Sequence, residues 1–81
     1  MASKYDALAA HLRTQRGPAH TMSFPDIERL IGTPLPDSSI THTAWWGNDR
    51  SPRSTHSQAK HGWLAAGWEV RGWAIGATLW A

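Results

Sequence analysis

Six tryptophans and no cysteine, in a chain of 81 residues, decide how this sequence can hold itself together. A chain of this length buries only about 60% of its unfolded surface on folding. Neither a disulfide nor a cysteine-based zinc site can make up the shortfall. The indole rings must do so. Each can bury about 150–250 Å², so a few of them supply most of a small core. The length predicts one domain over residues 1–81.

The densest part of the pattern is residues 55–81. Thr55 is placed to cap a helix, with Gln58 three residues later at capping-box spacing. Ala59, Trp63 and Ala66 recur at helical spacing and make one apolar stripe. Gly67 ends the helix. Residues 68–75, rich in Trp, Val and Ile, read as a strand. Gly76-Ala77 offers a two-residue hairpin turn, and residues 78–80 read as the returning strand.

The first half is plainer. Residues 3–16 read as a helix with Ser3 and Asp6 as a capping pair. Tyr5, Leu8 and Leu12 form its stripe, with Ala9 beside it, while His11 and Arg13 face solvent. Gly17-Pro18 stops it. Residues 20–23 suit a short strand. Ser23 opens a second helix, with Asp26 at the capping-box position and Pro25 in the first turn. Phe24, Ile27, Leu30 and Ile31 form its apolar face, and Gly32 ends it. A Pro-rich turn follows over 33–39, anchored by Leu35 and Ile40, with a helical turn starting near Pro36. Residues 41–46 read as extended, and a polar loop leads on to residue 55.

A helix that closes on L-A-A-G-W (Leu64 to Trp68) and runs into a hairpin resembles the last helix and wing of winged helix-turn-helix domains. The resemblance implies that this helix enters a DNA major groove and that the 20–23 strand pairs with the wing. The long connection between the second and third helices departs from that pattern. A second resemblance spans nearly the whole chain. K-Y-D-A-L, S-F-P-D-I-E-R-L-I-G-T-P-L-P, A-W-W-G-N-D-R and Q-A-K-H-G-W-L-A-A-G-W are similar to a prokaryotic domain family of unknown function. Its members typically read K-Y-x-P-L, L-(S/T)-F-x-E-I-E, A-W-W-x-N and A-W-x-x-A-G-W. The chain departs at Ala7, where the family usually has Pro, and in a shortened C-terminal strand. This resemblance implies no activity.

The net charge is only +2, eight Lys/Arg against six Asp/Glu, so distribution matters more than total. Arg50, Arg53 and Lys60 follow one another with no carboxylate between them, and His56 and His61 lie alongside. On a helix, Gln58, His61 and Ala65 would share the face opposite Ala59 and Trp63, with Lys60 at its flank. Gln reads adenine and Lys or Arg reads guanine through groove hydrogen bonds. Arg50 and Arg53, on a loop, suit phosphates. In the 41–46 strand, Trp45 and Trp46 would point to opposite faces, one into the core and one outward to stack on a base, unpaired or modified. The competing reading puts both rings in the core and leaves a solvated helix beside a basic loop.

Other chemistries have weaker support. His56 and His61 are five residues apart and do not stack on one helical face. With His42 they make a poor zinc set, and neither metal nor cofactor is expected. Asn48, Asp49 and His56 would make an acid-base group with Ser54 as nucleophile. No nucleophile elbow, phosphate loop or paired-carboxylate motif accompanies them, so the chain is not expected to be an enzyme. An interaction module is the alternative. Trp73 and Trp80 would form a second apolar surface for a protein partner or a homodimer.

The expectation is therefore an α+β, winged-helix-like domain of three helices with a short C-terminal β-hairpin. It would bind DNA without catalysis, in a regulatory or defence-related role, through Arg50, Arg53, Gln58, Lys60, His61, Trp45 and Trp46. No run approaches the roughly 20 apolar residues of a membrane span, and no apolar region follows Lys4 as in a signal peptide. A cytoplasmic bacterial-type protein without membrane contact is expected.

Overall fold

The stripe of Tyr5, Leu8, Ala9 and Leu12 is buried as its spacing requires, on helix α1 (Asp6–Arg13). The computed structural model describes residues 3–51, 56–73 and 76–81. Ser3 and Asp6 meet as expected, the Ser3 N–H donating to Asp6 Oδ2 at 2.9 Å. Helix α1 is shorter than residues 3–16. Thr14 Oγ1 takes the His11 carbonyl at 2.6 Å and Gln15 N–H bonds to Leu12 O, which unwinds the end towards Gly17-Pro18. Arg13 is exposed, but His11 is half-buried, its ring 5.6 Å from that of His20. Burial pushes the Tyr5 phenol above its ordinary pKa.

Strand β1 (Ala19–Ser23) leads directly into helix α2 (Phe24–Ile31). The capping box is present in full: Asp26 N–H donates to Ser23 Oγ at 3.2 Å and Ser23 N–H to Asp26 Oδ2 at 3.4 Å. Ile27 and Ile31 are buried, and Gly32 closes the helix at φ +77°. The Pro-rich turn is fastened back by the Leu35 N–H, which donates to Glu28 Oε2 at 2.6 Å. A single helical turn, α3 (Ser38–Thr41), follows. Leu35 packs on the core. Ile40 is no anchor, since α3 turns it outward and leaves it 83% exposed.

Residues 41–46 are not extended. Thr43–Trp46 form a 3₁₀ turn, in which successive side chains diverge by about 120° rather than 180°. Trp45 and Trp46 therefore both enter the core. Trp46 stacks between Phe24 (5.6 Å) and Trp63 (5.9 Å), and Trp45 meets Trp46 edge-on at 4.6 Å. The Trp46 indole N–H donates to Ser39 O at 2.7 Å.

The expected third helix exists but is irregular. Ala59–Trp63 wind as a π turn and Leu64–Ala66 as a 3₁₀ turn. Gly62 breaks the helical backbone at ψ −106°, where α1 crosses closely: a Cβ there would lie 3.3 Å from Leu8 Cδ2. Gly67 takes φ +82°, and Trp68 N–H reaches back to Trp63 O at 2.9 Å, which closes the helix in a Schellman-type turn. The Thr55 cap lies outside the described residues.

Strands β2 (Glu69–Gly72) and β3 (Gly76–Trp80) complete an antiparallel sheet ordered β1–β3–β2. The expected pairing of the 20–23 strand with the hairpin holds, as β1 runs beside β3 from Ala19↔Trp80 to Ser23↔Gly76. Gly76-Ala77 is not the turn. Both residues are buried strand positions paired to Ser23 and Met22. Glycine stands at 76 because a Cβ would meet Met22 O at 2.5 Å. Met22, Val70, Ala77 and Leu79 face the core, while Ala19, Thr21, Arg71 and Trp80 are exposed on the other face. The result is a small α+β fold with a C-terminal hairpin, in an order compatible with a winged-helix-like domain.

Candidate nucleic-acid interface

Lys60 and His61 project from the 57–66 helix into solvent. The backbone kinks at Gly62, so an ideal helical wheel misplaces residues on either side of it. Gln58 is the casualty. It is only 5% exposed, and its amide donates to Trp45 O at 2.9 Å with His56 Nδ1 at 3.3 Å. It does not face a groove, because it is buried with its amide nitrogen turned to the 3₁₀ turn. Trp45 and Trp46 leave the candidate interface with it, at 7% and 2% exposure. Neither ring has a free face for a base. Arg53 lies outside the described residues.

Of the remaining candidates, Arg50 and Lys60 meet at a cleft of about 380 Å³ between the helix and the loop before it, while His61 is exposed outside it. Asp49, Arg50, Ser51, Lys60, Leu64 and Ala65 line it. Arg13, from α1, donates to Ala65 O at 3.3 Å, which adds a cation at the helix end. Arg50 bonds Glu69 at 2.6 Å, and Arg71 approaches the same carboxylate at 3.7 Å. The Arg71 guanidinium lies 5.4 Å from the centre of the Trp80 ring. Arg13, Lys60, Arg50 and Arg71 thus lie along one side of the molecule, joined through Ala65, the cleft and Glu69, with Asp49 also on the cleft wall. The ion pairs are more than a third exposed on each side, so each adds little to stability.

Sequence reasoning missed Arg13, Glu69 and Arg71. The Glu69–Arg71 spacing, with both on one strand face, was readable. The Arg50–Glu69 pairing across 19 positions was not. Of the weak acid-base set, the side chain of Asn48 is engaged with the backbone of Val70, and Ser54 lies outside the described residues. Among the described residues, no group of three or more His, Cys, Asp or Glu is placed to hold a metal ion.

Trp73 and Trp80 are both exposed, at 38% each, towards opposite ends of β2. Trp80 pairs with Glu69 at the start of β2, and Trp73 follows Gly72 at its end. Four residues of strand separate those positions by about 13 Å. Trp73 instead lines an apolar groove with Phe24, Ser39 and Ile40.

Fold and surface together define a small α+β domain with a mixed but cation-rich cleft beside a three-stranded sheet. Over residues 5–80 the chain matches the family model described as Domain of unknown function (DUF7662), and it belongs to that family. Among curated proteins and among solved structures there is no significant match. Among the described residues no helix is long and apolar enough to cross a membrane.

Proposed function

We propose that this protein is a non-catalytic DNA-binding module that holds the phosphate backbone along the Lys60–Arg50 cleft. The observation that carries the reading is the cleft itself: a loop and the helix that follows it bring Arg50 and Lys60 to one concave surface, with Arg13 bonded to Ala65 on its wall and Arg71 beside Glu69, the partner of Arg50. Lysine and arginine bind phosphates with little regard to sequence. Lys60 and His61 retain the exposed side of a short winged-helix-like third helix. Without Gln58, base reading from that helix is reduced. The module therefore relies on backbone contacts, and in a bacterial cell it would serve regulation or defence as a DNA-holding part.

Fluorescence anisotropy with short labelled DNA, at low and at physiological salt, tests this. Binding should weaken steeply with salt, since each phosphate contact contributes roughly −0.7 to −0.9 to the logarithmic slope. Arg50→Ala/Lys60→Ala should lower affinity and flatten the slope by about 1.5. Unchanged binding in that variant rejects the site.

A second reading is favoured by Ile40 and Trp73, whose exposed side chains share one groove with Phe24. There the module would hold a protein partner or a second copy through an apolar contact. Such association tolerates salt and should be lost in Ile40→Asp.

A further inference from the structure

Trp80 sits on the central strand of the sheet, on the face where Ala19, Thr21 and Arg71 are also exposed. Its register partners are Ala19 on one side and Glu69 on the other. Ala19 is small, and Thr78, two residues back on the same face, is short. The ring is 38% exposed. The Arg71 guanidinium lies against it, at 5.4 Å from the ring centre. The Arg71 side chain is itself 59% exposed, so it is free to swing. Glu69 then leads from Arg71 to Arg50 and the Lys60 cleft. An accessible indole at one end of a cationic track is the arrangement that single-stranded nucleic acids use, with bases stacked on rings and phosphates on cations. Stacked base pairs of a duplex offer no free base face along their length.

We propose that Trp80 is a stacking platform for an unpaired base of single-stranded DNA whose phosphates follow Arg71, Arg50 and Lys60. The proposal rests on the DNA-binding reading above and names the form of DNA. On binding, the base takes the ring face that Arg71 covers, and Arg71 turns to the adjacent phosphate. This places the stacking role on a ring that sequence reasoning assigned to a protein interface.

The test is anisotropy binding of the full chain to three labelled probes: oligothymidine of about 12 nucleotides, a duplex of the same length, and the same single strand with abasic sites. Wild type should prefer oligothymidine over both others by roughly tenfold. Trp80→Ala should erase that preference, with a loss of about 5- to 150-fold for oligothymidine and little change for the abasic strand. Trp80→Phe should retain most of the affinity. The salt slope should stay the same in Trp80→Ala but fall by about 0.7 in Arg71→Ala. The wild-type preference for oligothymidine over the abasic strand needs no variant, so a folding defect cannot mask that result. Equal binding of all three probes, or equal losses on all three in Trp80→Ala, overturns the stacking platform while leaving the backbone reading intact. No binding to any probe at low salt overturns both. Salt-tolerant self-association that Trp80→Ala abolishes, without DNA binding, assigns the face to a second copy instead.

Discussion

Asn48 holds Val70 by both of its backbone groups. The Asn48 amide donates to Val70 O at 2.9 Å, and its side-chain oxygen accepts the Val70 N–H at 3.0 Å. One side chain thus stands where a further strand would pair, on the open edge of β2. Unpaired edges invite pairing between molecules, and Asn48 blunts this one.

Asn48→Ala should therefore have two effects. Loss of a two-point hydrogen bond should lower stability by about 1–2 kcal/mol, read as a lower urea midpoint with an unchanged slope. The freed edge should raise self-association, read by light scattering against concentration. Asn48→Asp, which keeps the acceptor and loses the donor, should fall between. A stable, monomeric Asn48→Ala protein would show that the contact protects nothing.

Gln58 and Lys60 are two positions apart and should separate cleanly by measurement. Gln58→Ala leaves the Trp45 carbonyl without its donor inside the core, at a cost of about 1–3 kcal/mol. DNA affinity of the folded variant should change little. Lys60→Ala should do the reverse, with near-normal urea stability and weaker, less salt-dependent DNA binding. Loss of affinity in folded Gln58→Ala would restore that residue to the interface.

Local signals in the sequence were read well where the physics is local. The Ser23–Asp26 box, the Gly32 and Gly67 stops and the stripe of Tyr5, Leu8 and Leu12 depend on neighbours within a few residues, and all are in place. Errors arose where the backbone departs from its two common periods. Trp45 and Trp46 alternate only if extended, and the 3₁₀ turn buries both. An ideal α-helix places Gln58 opposite Ala59 and Trp63, but the backbone kinks at Gly62. Gly76 reads as a turn residue by type, yet it is there because Met22 O of a strand more than fifty positions away leaves no room for a Cβ. Of the candidate site, Arg50, Lys60 and His61 remain exposed. The pairing of Arg50 with Glu69 needed the fold.

Gly76→Ala tests that last account of the glycine. A turn glycine with an ordinary φ would tolerate alanine. A glycine against Met22 O at 2.5 Å would not, and β1 and β3 would have to move apart. The expected cost is about 1–3 kcal/mol, measured by thermal or urea unfolding. Faster amide exchange at Met22 and Ala77 should accompany it, because the pairing between them is what loosens. Neutral behaviour would return Gly76 to a turn.

Acid should reach α2 through Asp26. The hydrogen bond with the Ser23 side chain is the main cause that holds its carboxyl below the ordinary carboxylate range. The Ser23 backbone N–H and the charges of Arg29 and His11 add to it. The native state therefore binds fewer protons at this group than the unfolded chain does. Its contribution is complete above the unfolded value of about 4 and is lost as the pH falls through the lower native value. Thermal midpoints should decline below about pH 4, and Asp26→Asn should flatten that part of the profile. The group is exposed, so salt should shrink the difference. Ser23→Ala removes the other half of the box and should cost about 0.5–2 kcal/mol at neutral pH. It should also bring the Asp26 pKa, followed by NMR of the carboxyl carbon, back towards its ordinary value. A pKa that stays low in Ser23→Ala would assign the shift to the retained backbone N–H at position 23 and to the charges of Arg29 and His11 instead.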